Sequence, residues 1–89
     1  NVREYALIKS EHFGDIIQME IGALLVGRIC NHFSQGTVRK FTEKGYFEFG
    51  GSTILLLIEK DRLLLADEIK SAKNHEIPVR SGQILGKKA

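Results

Sequence analysis

Apolar residues in this chain come in short runs, cut by glycine or by turn-forming polar residues, and that spacing constrains the fold more than any other feature. The longest uninterrupted runs are Ala23 to Val26 and Ile54 to Ile58. Neither approaches the roughly 20 residues that a membrane-spanning helix requires. Between Ile17 and Ile21 the pattern has a period of two: Ile17, Met19 and Ile21 share one strand face, and Gln18 and Glu20 the other. Many short strands punctuated by glycine predict a mainly β fold, a small barrel or sandwich-like domain with at most one short helix.

Residues 4–9 read as a strand and Gly14-Asp15 as a turn. Gly22 and Gly27 bracket the segment ALLV, which suggests a bend or bulge between two strand segments. Residues 31–36 (NHFSQG) read as a polar loop, 37–41 (TVRKF) as a strand and Glu43-Lys44-Gly45 as a turn. Strands are expected at 46–49 and 53–59, and the second lacks alternation, which predicts burial on both faces. Asp61-Arg62 turns the chain into LLLA, and residues 67–74 are expected to form two helical turns capped by Asp67. The tail from Ile77 should hold one or two short strands around Ser81-Gly82.

A length of 89 residues allows one small domain. Thirteen Lys and Arg against eleven Asp and Glu leave a net charge of +2, too little for the clustered basic face that nucleic acid demands, so no nucleic-acid partner is expected. That charge is compatible with an anionic membrane surface. The single cysteine, Cys30, leaves no pair for an internal disulfide and fits a reducing compartment. Its neighbours in LLVGRIC predict a buried structural thiol. No signal-peptide pattern opens the chain, which begins Asn-Val-Arg-Glu-Tyr without an initiator Met and so reads as a piece of a longer protein.

Few residues present themselves for chemistry. His12, His32 and His75 stand far apart among polar neighbours and read as surface or loop histidines, and no metal site is expected. No pair of acidic residues is spaced as an acid/base couple. Arg39-Lys40 and Lys87-Lys88 read as solvated charges. The stretch Phe49-Gly50-Gly51-Ser52-Thr53 is the exception. Gly-Gly-Ser ordinarily marks a turn, because glycine adopts positive φ without steric cost. Two residues without Cβ also allow a carbonyl to be approached closely by a neighbouring hydroxyl, and Ser52 follows the Gly51 carbonyl directly.

The flanks of that stretch carry a resemblance. EHFGDIIQMEIGALLVGRI, then EKGYFEFGGSTILLLIEKD, then VRSGQILG resemble, in order, the C-terminal part of phosphatidylserine decarboxylase. The resemblance extends over nearly all of the chain. It implies a proenzyme that cuts itself between Gly51 and Ser52, so that residues 1–51 end a β chain and residues 52–89 form an α chain. Ser52 would be the precursor of a pyruvoyl group, the self-derived cofactor that takes up the substrate amine as a Schiff base, with no metal involved. Phe49, Gly50 and Thr53 would shape the pocket. The implied reaction converts phosphatidylserine, or a related aminophospholipid, to the corresponding amine with loss of carbon dioxide. The implied partners are the phospholipid substrate, the two chains of one proenzyme and a membrane surface reached through an upstream segment. The implied location is peripheral on a bacterial cytoplasmic membrane.

In that family an upstream Asp and His assist the serine, and no residue here matches them; His12, in EHFG, does not fit that role. The expectation is therefore that these 89 residues alone stay uncleaved and inactive. A rival reading is a non-catalytic β-barrel binding module resembling biotinyl- or lipoyl-carrier half-barrels. Such carriers need a modifiable lysine at a hairpin tip, where this chain has Gly-Gly-Ser, with Lys44 and Lys60 nearby but not at the tip.

Overall fold

The computed structural model describes residues 3–22, 28–32, 35–48 and 52–89. Within them the spaced apolar runs become β1 (Arg3–Ser10), β2 (Gly14–Gly22), β3 (Arg28–Asn31), β4 (Gly45–Glu48), β5 (Ser52–Ile58), β6 (Leu63–Leu65) and β7 (Gly86–Lys88), with one helical turn, α1 (Asp67–Lys70). The chain is mainly β, as its spacing predicts. The described strands form three small sheets, ordered β1-β2-β5, β3-β4 and β6-β7, and no closed barrel forms among the described residues.

Contacts group the chain into two units, one of Asn1–Ile8 with Ile17–Leu57 and one of Lys9–Ile16 with Ile58–Ala89. In the first, β3 and β4 pair antiparallel with Arg28 opposite Glu48, Ile29 opposite Phe47, Cys30 opposite Tyr46 and Asn31 opposite Gly45. Arg28 Nη1 and Glu48 Oε2 add a cross-strand ion pair at 3.5 Å. The close approach at the end of the hairpin where the connection leaves β3 and enters β4 requires glycine: a Cβ on Gly45 would meet the Cys30 carbonyl oxygen and the Asn31 side chain. In the second unit β6 and β7 pair antiparallel, Leu63 opposite Lys88 and Leu65 opposite Gly86.

Several expectations are corrected. The turn placed at Gly14-Asp15 falls at residues 11–13, where the Phe13 N–H donates to Ser10 Oγ at 3.2 Å. Gly14 instead opens β2 at φ 72°, and the next N–H, on Asp15, donates to Glu59 Oε2 at 3.1 Å. Residues 37–41 form no strand. Phe41 takes φ 62° in a turn closed by the Thr42 N–H donating to the Arg39 carbonyl at 3.2 Å, and a left-handed residue interrupts extended backbone. The Glu43-Lys44-Gly45 turn is likewise displaced, with Gly45 already in β4. The helix is one turn rather than two, and its N-cap is Ala66 with no side-chain cap bond. Asp67 is the first helical residue, where its charge favours the N-terminal dipole but its side chain does not close the turn. Ser71 Oγ donates back to the Asp67 carbonyl at 2.8 Å and the turn ends there. The tail agrees with expectation: it holds one strand, β7, after a turn at Ser81-Gly82 with Gly82 at φ 83°. The ALLV segment and Gly27 lie outside the described residues.

Burial departs furthest from expectation. Among the described residues no apolar side chain is buried, and the one buried polar residue is Glu20, 7% exposed. On β2 the face bearing Gln18, Glu20 and Gly22 is the covered one, whereas Ile17 on the opposite face is exposed. β5, expected to be covered on both faces, is exposed from Ile54 to Leu57. Among the described strands β5 stands at the end of the order β1-β2-β5, and its apolar run is not covered on both faces there. Cys30 is half-buried rather than buried.

Candidate active site

Ser52 is the first residue of β5 and Thr53 the second, and both side chains are exposed. Phe49, Gly50 and Gly51, the other residues singled out from sequence, lie outside the described residues. Ser52 and Ile54 stand two residues apart and therefore share one face of the strand. Ile54 borders a cleft of about 230 Å³ whose wall also includes Gln18 and Glu20 of β2, Ile29 and Asn31 of β3, Lys44, and Gly45 to Phe47 of β4. The face of β3-β4 that carries the Ile29–Phe47 and Asn31–Gly45 pairs thus opposes the Gln18–Glu20 face of β2, which explains why the polar face of β2 is the inner one.

The polar wall of this cleft is a connected network. Lys44 Nζ donates to Glu20 Oε2 and to Asn31 Oδ1, both at 2.8 Å. Gln18 Nε2 donates to Glu20 Oε2 at 2.8 Å, and Asn31 Nδ2 donates to Glu20 Oε1 at 3.0 Å and to Glu4 Oε2 at 2.9 Å. Burial pushes the Glu20 carboxyl pKa up, but the hydrogen bonds from Lys44, Asn31 and Gln18 and the charge of Lys44 outweigh it, and the net shift is below the ordinary value. Tyr46, also at the cleft, has its phenol pKa raised, foremost by hydrogen bonding to Cys30, then by the charges of Cys30 and Glu48. Beside it His32 Nε2 lies 2.6 Å from Glu43 Oε2, with its ring 5.7 Å from that of Tyr46.

His12, His32 and His75 are all exposed, and among the described residues no group of three or more His, Cys, Asp or Glu is placed to hold a metal ion. Glu20, Lys44, Asn31 and Gln18 were not candidates on sequence grounds. Gln18 and Glu20 stand on the polar positions of an alternating strand and Lys44 in a charged turn, both usual solvent-facing patterns, so local spacing held no signal of their convergence. Lys60, the other lysine near the Gly-Gly-Ser stretch, sits exposed in the turn where the Arg62 N–H donates to the Glu59 carbonyl at 3.4 Å.

Comparison with known proteins gives a consistent result. The family model described as phosphatidylserine decarboxylase matches residues 1–87. A phosphatidylserine decarboxylase proenzyme of Clostridium botulinum (strain Langeland) is 45% identical over 99% of this chain, and one of Clostridium novyi 42% identical over 99%. Phosphatidylserine decarboxylase proenzyme 2 of Clostridium acetobutylicum is 44% identical over 97%. The chain spans 30–31% of the length of these relatives. No solved structure matches it. A non-catalytic carrier-like module is not favoured by these likenesses.

Proposed function

We propose a function from one premise: the chain belongs to the phosphatidylserine decarboxylase family. Our reading is that it forms part of a bacterial proenzyme that cleaves itself between Gly51 and Ser52 and then decarboxylates phosphatidylserine to phosphatidylethanolamine at the membrane surface. Residues 1–51 belong to the β chain and residues 52–89 to the α chain. The observation that carries the reading is the place of Ser52, exposed at the start of β5 and on the face that borders the cleft through Ile54.

Cleavage is chemistry of the chain's own atoms. Ser52 Oγ adds to the Gly51 carbonyl carbon, and the peptide C–N bond breaks as the serine amine takes a proton, so that an ester replaces the amide. Loss of the Ser52 Cα proton and breaking of the Cβ–O bond release the upstream chain as a carboxylate ending in Gly51. Water then enters the remaining dehydroalanine, ammonia leaves, and a pyruvoyl group stands at position 52. A strand start with an exposed serine suits such a group: it becomes a new N-terminus that needs no room inside the sheet. The pyruvoyl carbonyl supplies an electron sink for the bond to the departing carboxylate. The protein supplies position, with Thr53 next along β5 and the cleft wall beside it.

Ser52→Ala in the full-length protein tests this function. The expected result is a single uncleaved chain by intact mass and loss of decarboxylation. Retained activity in that variant would exclude a pyruvoyl mechanism.

A further inference from the structure

At the centre of the network on the cleft wall, Asn31 and Glu20 are fully engaged. Asn31 uses both N–H donors, on Glu4 and Glu20, and its carbonyl accepts from Lys44. Both oxygens of Glu20 accept, Oε2 from Gln18 and Lys44 and Oε1 from Asn31. An ammonium carries three donors. Lys44 directs two at Glu20 and Asn31, and the third has no partner among the described residues. The Lys44 side chain is only 27% exposed and lies on the cleft wall. A cation held on two sides has little rotamer freedom left to lose, which favours capture of an anionic oxygen by its remaining N–H.

Resting on the decarboxylase reading above, we propose that Lys44 binds an anionic oxygen of the substrate head group, with Glu20 and Asn31 as positioning residues that aim its ammonium into the cleft. Ser52 and Ile54 are separated by about 7 Å along one strand face. The cleft therefore begins close to the atom that takes the substrate amine, and the head-group phosphate stands a few bonds from that amine. The head-group carboxylate is the other anionic candidate. It has to leave as neutral carbon dioxide, and a cation bound to it would stabilise the charge that must be lost. The phosphate keeps its charge throughout and is the better acceptor.

The test uses the full-length protein carrying Ser52→Ala, so that binding is read without turnover, and sn-glycerophosphoserine as the probe. Adding Lys44→Gln is expected to weaken calorimetric binding about tenfold, read at a temperature where both proteins are folded, since Glu20 loses its ammonium partner and the melting temperature falls. Parallel titrations with glycerol phosphate and with L-serine separate the two sources: Lys44-dependence of the first places the contact on phosphate, and of the second on carboxylate. Equal affinity for all three probes with and without Lys44 overturns the proposal, as does the absence of glycerophosphoserine binding when Lys44 is present. Should Lys44→Gln unfold the protein, the nitrogen-15 signal of the Lys44 ammonium in the Ser52→Ala protein reads the same contact, and a signal unmoved at saturation overturns it. For the positioning role, Glu20→Gln in the cleaved enzyme is expected to raise KM for phosphatidylserine several-fold with kcat nearly unchanged. A fall in kcat with unchanged KM removes Glu20 from that role. The decarboxylase reading stands or falls separately, on the cleavage of Ser52.

Discussion

Glu20 shows how a single residue can reverse the reading of a strand. A carboxylate with 7% of its surface exposed is costly unless paired, and here three side chains pair it. Its folded pKa lies below the ordinary 4.5, so the unfolded state binds the proton more readily. The stabilisation is therefore fully present above about pH 4.5, declines as pH falls through the lowered folded value, and is absent below it. Glu20→Gln keeps the shape but turns an NH2 group toward either the Asn31 donor or the donors of Gln18 and Lys44, which should cost about 1–3 kcal/mol near neutral pH. Denaturant titration across pH should show wild type and variant far apart at pH 7 and converging in acid. A constant gap down to the most acidic pH would mean that the carboxylate charge contributes nothing.

At the level of elements, the hairpin of β3 and β4 sets the geometry of the cleft, because its register places Asn31 and Ile29 on the wall. Gly45 is where that register is most sensitive. An added Cβ would lie 2.9 Å from the Asn31 Cα and meet the Cys30 carbonyl as well, atoms of backbone that cannot swing aside. Gly45→Ala is expected to destabilise the full-length protein by about 1–3 kcal/mol, whereas Thr37→Ala, at an exposed loop position, should be near neutral. Matching thermal melts for the two variants would show that β3 and β4 are not held this closely. The strands themselves were legible from sequence wherever apolar residues alternated or ran together, as for β1, β2 and β5. Position within a sheet was not: ILLLI reads equally as a central strand or an apolar edge, and only the sheet order distinguishes them. Residues 37–41 misled because Val38 and Phe41 look strand-like, while the left-handed conformation at Phe41 is decided by the turn around it. The same limit hid the site. Ser52 was marked by its flanks, whereas Glu20, Asn31 and Lys44 meet across sequence separations of 11 to 24 residues that no local pattern encodes.

For the whole molecule, the sheet order bears on what cleavage does. A cut between Gly51 and Ser52 would divide the chain covalently before β5, yet β5 is a hydrogen-bonded neighbour of β2 in the sheet β1-β2-β5. Strand pairing needs no covalent link between the strands it joins, and each of its hydrogen bonds contributes about 0.5–1.5 kcal/mol whether or not the connection survives. Such a cut, if the proposed function holds, would leave the two chains joined through this pairing, and the cleft would keep walls from both: Gln18, Glu20, Asn31 and Lys44 from the upstream chain and Ile54 from the downstream one. Release of the new terminus beside the cleft, rather than separation of the chains, would then be the structural result of the proposed cut. The expected outcome for the processed full-length protein is a single peak in native size exclusion containing both chains, resolved into two masses only after denaturation. Elution of the chain beginning at position 52 apart from its partner under native conditions would show that β5 is not held by β2 once the peptide bond is gone.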